Sequence, residues 1–543
     1  MTLMIPLLLS LFLTIVLVPV VKLLAVRLQL YDMPGPRKVH QQPIPRIGGI
    51  AMAIGAFVSI IFWAPLDEVT QAYLMGGVVL VVVGVVDDWR GLNFKAKFAG
   101  QILAALIAVF YGGIGIEKLG LLLPDGMILP GWASAILTVL VLVGVTNAIN
   151  LADGLDGLAA GISLLIFGFI GYLAYTGQNM NVAILSASLV GVCFGFLRFN
   201  TFPATLFMGD TGSQLMGFSA ACFSLILTQG DTALSPLIPL IILGFPILDT
   251  LSVMGERIAR GRSPFSADRR HFHHRLLQMG FFHTEAVFVI YLIQTLLIAS
   301  AYLLRFYSEW LLLGSYAAFA ALIIFFFRWA DGAGWRLQRF DFIDRVVKGR
   351  LKLLREQGVF IRIVFRVLAV SVPLLLIFAG FLPVTIPGYF SVFAALLAMA
   401  VLLVFTLRRE RFKLTVICSA YLFIPALVCL GDTEMAPWMA GAPTHIYFLA
   451  YLLLLFLALL TLRLTKRKKG FRATPTDFLI LVFTLVFLVI PQLRANYGIM
   501  AMKIIILYFC YEIIMGEYRE RIGQVAALTV AAYLVVAIRG LIG

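Results

Sequence analysis

The chain has 543 residues, of which 62% are hydrophobic and 13% are charged, and its formal net charge at pH 7 is +15. An average soluble domain carries about 25% charged residues, so this composition excludes an ordinary soluble protein and indicates a polytopic membrane protein. The five cysteines are scattered through apolar segments without a CxxC pair. They predict neither a disulfide framework nor a zinc site.

Apolar windows of about 20 residues predict an all-α protein with about eighteen transmembrane helices. The first window lacks a basic segment before it and is longer than a signal-peptide core, so we expect a retained helix. In chain order, a core of about eleven helices is predicted at 3–28, 47–64, 71–86, 98–113, 133–149, 158–176, 182–198, 206–228, 235–255, 286–304 and 310–328. About seven more are predicted at 362–381, 388–406, 414–431, 445–462, 476–491, 499–515 and 522–540.

The distribution of Lys and Arg orients these helices, because cytoplasmic loops of membrane proteins carry the excess of positive residues. The loop YDMPGPRKVHQQPIPR after the first window is basic, so we expect the N-terminus to lie outside. Alternation then places other basic loops, including RRERFK and RLTKRKKGFR, in the cytoplasm. The net charge follows from this topology and does not predict nucleic-acid binding.

Three segments are expected along the chain. Residues 1–328 form a membrane core that carries the polar motifs. Residues 329–361 have apolar residues at helical spacing among basic ones, which predicts an amphipathic linker on the cytoplasmic leaflet. Residues 362–543 form a C-terminal transmembrane domain of unknown role.

Acidic residues in or beside the windows gather at the predicted cytoplasmic ends. An ionisable group at mid-bilayer costs about 2.5–3.5 kcal/mol even on lenient insertion scales, so such residues usually have a function. The histidines of the segment SADRRHFHHRLL fall at the same face. Their common position predicts one site that faces the cytoplasm. The acidic residues and histidines of this site are Asp87, Asp88, Asp153, Asp156, Asp210, Asp249, His271, His273 and His274.

The segment NAINLADGLDGLAAG places small and polar residues at intervals of three and four, which predicts a polar stripe on a helix end. The stripe comprises Asn147, Asn150, Gly154 and Gly157. We expect the glycines to break the helix and to leave Asp153 and Asp156 at its water-facing mouth. The alternative is helix packing through small residues, with the aspartates as caps.

The pair Asp87-Asp88 stands where a predicted helix leaves the membrane. Two adjacent carboxylates do not both stay ionised without a cation, so a shared proton or Mg²⁺ is implied, unless they form a solvated helix end. The segment GDTGS, which contains Asp210, offers a carboxylate and exposed backbone N–H groups at a helix start. That combination suits a metal–phosphate site, although Asp and Ser also cap helices.

The histidines stand among arginines, a setting that favours binding of an anion such as phosphate over zinc, which stays an alternative. Lys38, Lys95 and Lys97 lie in the same layer and fit a polyanionic substrate, although they also serve as topology determinants. The residues alone therefore predict a phosphoryl-transfer enzyme that joins a cytoplasmic nucleotide compound to a membrane lipid. A transporter with membrane acids is the competing class.

Four segments carry a resemblance to a known family: VVDDWRGLNFKAKFAGQ, NAINLADGLDGLAAG, RFNTFPATLFMGDTGSQLMG and SPFSADRRHFHHRLLQMG. In order and separation they resemble the signatures of the polyprenyl-phosphate N-acetylhexosamine-1-phosphate transferases, the MraY/WecA/TagO family. The HFHH motif is more similar to the WecA/TagO branch than to the MraY branch. The resemblance covers about residues 1–328, and the C-terminal half is not recognised.

The resemblance implies transfer of N-acetylhexosamine-1-phosphate, with GlcNAc-1-phosphate the commonest form, from a UDP-sugar to undecaprenyl phosphate with release of UMP. This would be the first membrane step of a cell-envelope polysaccharide. It implies Mg²⁺, with Mn²⁺ as an alternative, and a multi-pass protein of the bacterial inner membrane whose active site faces the cytoplasm. A homodimer is one expected assembly. The MraY-type reaction, transfer of phospho-N-acetylmuramoyl-pentapeptide, is the alternative within the family.

The resemblance also implies roles for individual residues. Asp210 matches the family's metal-binding aspartate, and the pair Asp87-Asp88 matches its acidic pair, which deprotonates the lipid phosphate or helps to hold the metal. The three histidines are expected at the diphosphate. The expected substrate-binding residues are Lys38, Lys97, Asn147, Asn150, Asp153, Asp156, Asn200 and Phe207.

Overall fold

The structure, a computed structural model, describes residues 3–32, 43–124, 127–230, 232–264, 270–337, 359–407, 412–464, 499–517 and 522–542. Within these ranges the protein is almost entirely α-helical, which confirms the predicted all-α class. Two short antiparallel strands pair Tyr31 with Pro45 and Asp32 with Ile44. The strands are β1, Tyr31–Asp32, and β2, Ile44–Pro45.

The chain divides into two compact units, Met1–Leu337 and Gln338–Gly543. In the first unit the helices are α1 Met4–Arg27, α2 Gly48–Trp63, α3 Glu68–Arg90, α4 Phe94–Phe110, α5 Gly131–Ala152, α6 Leu158–Thr176, α7 Met180–Asn200, α8 Gly209–Gln229, α9 Ile238–Ile242, α10 Gly244–Ala259, α11 Phe272–Gln278, α12 His283–Leu304 and α13 Glu309–Gly332. In the second they are α14 Val359–Ala379, α15 Gly388–Leu407, α16 Phe412–Thr433, α17 Ala442–Leu464, α18 Ile499–Glu517 and α19 Ile522–Ile542.

Ten of the described helices are long and apolar enough to cross a membrane, and the chain is an integral membrane protein. Every predicted apolar window coincides with a helix or helix pair except 476–491, which lies outside the described residues. The predicted linker 329–361 also falls largely outside them, and α13 occupies its first residues up to Gly332.

The window 235–255 was predicted as one helix, and the structure corrects this to two, α9 and α10, with a break at Leu243. Pro246 has no N–H, so it cannot donate to the Ile242 carbonyl one turn earlier. The Gln294 side chain on α12 donates to that carbonyl instead, at 2.7 Å. A neighbouring helix thus satisfies the backbone group that the proline frees, as an apolar environment requires.

Helix α8 forms the centre of the first unit and packs against α2, α3, α5, α6 and α7. Nearly all of its side chains are buried, because small residues such as Gly, Ser and Ala let the surrounding helices approach closely. Asp210 lies in its first turn. The packing of α8 therefore decides where this carboxylate lies relative to its neighbours.

In the second unit a buried ion pair joins α16 to α18, where Lys503 Nζ lies 2.6 Å from Asp432 Oδ1. The rings of Tyr447 and Tyr451 on α17 lie beside the ammonium group. Removal of one partner of such a buried pair leaves the other charge uncompensated, which is strongly destabilising.

Candidate active site

The N-terminus of α8 is held by a carboxylate from α3. Asp88, whose side chain is fully buried, accepts hydrogen bonds from the N–H groups of Asp210 and Thr211 at 2.9 and 3.1 Å and from the Thr211 hydroxyl at 2.7 Å. Backbone N–H groups in this first turn, predicted to be exposed for a phosphate, are thus bonded to Asp88. The structure gives this predicted catalytic residue a structural task.

Gly209 makes this approach possible. It has φ +67°, and a Cβ there would lie 2.1 Å from the Arg46 carbonyl oxygen and 2.4 Å from an Asp88 carboxylate oxygen. Only glycine both adopts this positive φ readily and lacks the Cβ that would clash with these oxygens. The GDTGS motif therefore encodes the contact between α3, α8 and the segment after β2.

Lys97 joins the two other carboxylates of this region. Its Nζ lies 2.5 Å from Asp87 Oδ2 and 2.7 Å from Asp210 Oδ2, so α3, α4 and α8 meet at one ammonium group. Asp87 also accepts the Leu92 N–H at 2.6 Å. The adjacent aspartates Asp87 and Asp88 therefore bind different partners, and the predicted shared proton or Mg²⁺ stays a prediction.

Arg46 supplies a second cation beside these carboxylates, and none of the sequence motifs indicated it. Its guanidinium lies 3.3 Å from Asp32 on β1, 3.7 Å from Asp210 Oδ1 and 3.9 Å from Asp88 Oδ1. The segment between β2 and α2 places it there, since Gly48 and Gly49 donate to the carbonyls of Phe207 and Met208. Arg46 and Lys97 thus approach Asp210 through different carboxylate oxygens.

The predicted polar stripe divides between a helix and a turn, because α5 ends at Ala152. Asn150 donates to the Ser213 hydroxyl on α8 at 2.8 Å. Asn147 donates to Gln101 at 2.6 Å, and Gln101 donates to Gln214 at 3.1 Å. These amides join α4, α5 and α8 directly beneath the carboxylates.

The turn 153–157 carries the remaining residues of that motif. Burial raises the pKa of the Asp153 carboxyl to about 7; Arg46 opposes this shift, and the nearby Asp210 carboxylate adds to it. Asp156 Oδ2 accepts the Ala204 N–H at 2.9 Å. Gly157 has φ +81° and starts α6 from the left-handed region. The two aspartates therefore have different surroundings: Asp153 lies in the field of Arg46, and Asp156 is bonded to the loop after α7.

Asn200 and Phe207 bound that loop. Asn200 is buried, accepts the Gly157 N–H at 2.9 Å and donates to the Leu206 carbonyl at 3.0 Å. Its amide thus fixes both the turn and the loop. Phe207 is half-buried, and its backbone bonds to Pro45 and Gly48. The predicted substrate contacts of these two residues stay predictions.

The histidines lie at the start of α11. His271 Nδ1 is 2.9 Å from Asp249 Oδ2, and the Phe272 N–H donates to the other oxygen of that carboxylate at 2.8 Å. The rings of His271, His273 and His274 follow one another at centroid distances of 5.8 and 4.2 Å. Asp249 thus orients the first histidine of the motif.

His273 connects the histidines to the turn. A Cβ on Gly154 would lie 2.2 Å from its Nε2, so the absence of a side chain there admits the imidazole. Burial, with the neighbouring His274 and His271, keeps the pKa of His273 well below its usual range. The surroundings of His273 therefore favour its neutral form.

An arginine of the same segment anchors α11. Arg275 is buried and pairs with Glu256 on α10, and its Nε donates to the Arg270 carbonyl at 2.9 Å. Its guanidinium also lies 3.6 Å from Asp331 on α13. The segment with the histidines is thus fixed to two helices by charge.

Asp87 and Asp210 each present a carboxylate oxygen to the same point, the Lys97 ammonium. Among the described residues, no group of three or more His, Cys, Asp or Glu side chains is arranged to hold a metal. Mg²⁺ needs only one or two carboxylates when substrate phosphates complete its shell. The donor set therefore fits Mg²⁺ but provides only part of a site.

The structure brings most of the predicted site residues to one end of the first unit, where the ends of α3, α5 and α7 meet the starts of α4 and α8. Lys38 lies outside the described residues. Together these features define a class of protein: an integral membrane protein with a polar site that contains carboxylates, histidines and the cations Arg46 and Lys97.

Comparison with known proteins agrees with this class. The family model described as Glycosyl transferase family 4 matches residues 70–228. A probable undecaprenyl-phosphate N-acetylglucosaminyl 1-phosphate transferase of Bacillus subtilis is 37% identical over 346 residues, which cover 62% of this chain and 95% of that protein. An undecaprenyl-phosphate alpha-N-acetylglucosaminyl 1-phosphate transferase of Escherichia coli K12 is 31% identical, covering 62% of this chain and 91% of its own.

A decaprenyl-phosphate N-acetylglucosaminephosphotransferase of Mycolicibacterium smegmatis is 36% identical over 306 residues, which cover 50% of this chain and 74% of that protein. The chain belongs to the family of these polyprenyl-phosphate N-acetylglucosaminyl 1-phosphate transferases, as its motifs predicted.

Proposed function

We propose that this protein transfers GlcNAc-1-phosphate from UDP-GlcNAc to undecaprenyl phosphate and releases UMP. The observation that carries the proposal is the meeting of Asp87, Lys97 and Asp210 at one point, in a chain whose relatives are named for this transfer. Those names also favour GlcNAc over the muramoyl-pentapeptide of the MraY-type alternative, and a transferase over a transporter.

The reaction forms one phosphorus–oxygen bond and breaks another. An oxygen of the lipid phosphate attacks the β-phosphorus of the UDP-sugar, and the bond from that phosphorus to the bridging oxygen breaks. UMP leaves with the bond electrons, and the sugar-1-phosphate becomes a diphosphate on the lipid. Such transfers depend on positioning and charge neutralisation rather than on covalent help from the protein.

The chain's cations supply part of that neutralisation. Lys97 and Arg46 both lie within 4 Å of the Asp210 carboxylate, from different sides, so phosphates that enter here meet two fixed positive charges. A bound Mg²⁺, held by Asp87 and Asp210, would neutralise further charge on the diphosphate. Asp88 keeps α8 in place and thereby positions Asp210.

We also propose that this site faces the cytoplasm, with the N-terminus outside, on the distribution of Lys and Arg in the loops. UDP-sugars are made in the cytoplasm, and the prenyl tail stays in the bilayer while its phosphate reaches the site. Homodimer formation stays a prediction, and we assign no role to residues 362–543.

The test uses detergent-purified protein, undecaprenyl phosphate and a panel of UDP-sugars, with and without Mg²⁺. We expect UMP from UDP-GlcNAc, loss of turnover with EDTA, and loss in Asp210→Asn. Turnover with another UDP-sugar alone would overturn the choice of sugar. Full activity in EDTA, or in Asp210→Asn, would overturn the metal assignment.

A further inference from the structure

His283 opens α12 and contacts two segments of the site at once. The residue is buried, with 8% of its surface exposed. Its Nε2 accepts the Asp156 N–H at 3.1 Å. Its ring stacks on Phe202, in the loop after α7, with centroids 4.5 Å apart and planes 27° apart.

The hydrogen bond fixes the state of this ring. Because Nε2 accepts an N–H, it carries no proton, so a neutral His283 has its proton on Nδ1. Nδ1 is buried and meets no partner among the described residues. An unpaired buried donor is destabilising, so a phenylalanine would stack on Phe202 at lower cost. What the imidazole adds is the acceptor for Asp156.

Asp156 is itself bonded on its other side. Its carboxylate accepts the Ala204 N–H, four residues from Asn200, which bonds Gly157. The main chain of the turn 153–157 is thus held between α12 and the loop 201–208. If the acceptor on α12 is lost, the Asp156 N–H is left unpaired and the turn is free to shift.

We propose that His283 is a positioning residue that fixes Asp156 and the adjoining loop in the geometry that the proposed transfer requires. The inference rests on the proposed function and deepens it. It assigns to a residue of α12, outside the four motifs, control over the turn 153–157 and the loop 201–208, which carry or adjoin the expected substrate-binding residues Asp153, Asp156, Asn200 and Phe207.

Two substitutions separate the hydrogen bond from the stacking. His283→Phe keeps an aromatic ring against Phe202 but removes the acceptor, whereas His283→Gln restores an acceptor near the position of Nε2. We expect His283→Phe to lower kcat/KM for UDP-GlcNAc about tenfold, as loss of one hydrogen bond to an oriented group would. His283→Gln recovers most of the loss.

The matched control is His445→Phe, the same substitution at an exposed histidine of the second unit, which should leave kcat/KM unchanged. The thermal unfolding temperature of each variant is measured alongside. A folded His283→Phe with an unchanged kcat/KM overturns the inference, as does a folded His283→Gln that recovers none of the loss. A wild-type protein that releases no UMP overturns the proposed function and this inference with it.

Discussion

Lys97 Nζ lies 2.7 Å from Asp210 Oδ2, although the two residues are 113 positions apart in the chain. The same ammonium group lies 2.5 Å from Asp87 Oδ2. Two motifs that are separate in the sequence therefore share one charge. We expect the proposed transfer to take place at this contact.

Replacement of Lys97 by Gln should abolish most turnover. Gln has no positive charge, so the carboxylates of Asp87 and Asp210 lose their shared cation and the phosphates lose a fixed donor. By analogy with the loss of one charge-stabilising donor in other enzymes, we expect kcat to fall about 100-fold or more. The measurement is UMP release by purified protein at saturating substrates.

Lys118→Gln is the matched control. The Lys118 ammonium donates to the Gly230 carbonyl near the end of α8, at the opposite end of that helix from Asp210. Its kcat should equal that of the wild type. An active Lys97→Gln variant would show that the shared ammonium is dispensable.

The two adjacent aspartates should differ in what they stabilise. Asp88→Asn removes a carboxylate that accepts three hydrogen bonds at the start of α8. Loss of such a cap costs about 1–2 kcal/mol, so the thermal unfolding temperature should fall by about 2–8 °C. Asp87→Asn should abolish activity while it unfolds close to the wild-type temperature, because the amide oxygen still accepts the Leu92 N–H, whereas the first turn of α8 is bonded to Asp88.

Thermal unfolding monitored by intrinsic fluorescence in detergent separates the two cases. Thr211→Val should lower the unfolding temperature by a smaller amount than Asp88→Asn, since it removes one of the three bonds. Equal stability of Asp88→Asn and the wild type would contradict the capping role.

Asp153 should make stability depend on pH. Its pKa is raised from the usual 3.8 to about 7, so between about pH 4 and pH 7 the folded protein binds more protons than the unfolded chain. The free energy of unfolding therefore decreases as the pH rises through this window. Above pH 7 the folded protein bears the full cost of ionising the buried Asp153 carboxyl. Asp153→Asn cannot ionise and avoids this cost.

We therefore expect Asp153→Asn to unfold at a higher temperature than the wild type at pH 8 in metal-free buffer. The difference should shrink towards pH 5, where the wild-type carboxyl is protonated in the folded state. A difference that does not change between pH 5 and pH 8 would show that the Asp153 carboxyl does not titrate in this range.

Gln294 should stabilise the break between α9 and α10. Gln294→Leu removes the donor to the Ile242 carbonyl and leaves that buried group unpaired, at a cost of about 1–3 kcal/mol. The unfolding temperature should fall, while the KM values stay at the wild-type level because the contact lies away from the carboxylates. A variant as stable as the wild type would mean that another donor replaces the amide.

Apolar length and motif spacing predicted most of the fold, since each transmembrane helix is a local feature of the sequence. The break at Leu243 was missed because an apolar window does not register the lost donor at Pro246. The prolines of SPLIPLIILGFP were the available signal.

The site was predicted as a set of residues but not as a set of contacts. Lys97 was placed with the acids by charge alone, whereas its position between Asp87 and Asp210 depends on how α4 packs. Arg46 and His283 were missed, because each acts through a partner that is remote in sequence. The capping role of Asp88 could not be read from the adjacent pair for the same reason.

The most direct test of the account follows the β-phosphorus of UDP-GlcNAc. Purified protein is incubated with undecaprenyl phosphate and UDP-GlcNAc labelled at that atom, and the lipid and aqueous products are separated. We expect the label to enter the lipid together with GlcNAc and the nucleotide product to be UMP. Label that stays in the aqueous phase as UDP, with GlcNAc alone on the lipid, would contradict the proposed transfer.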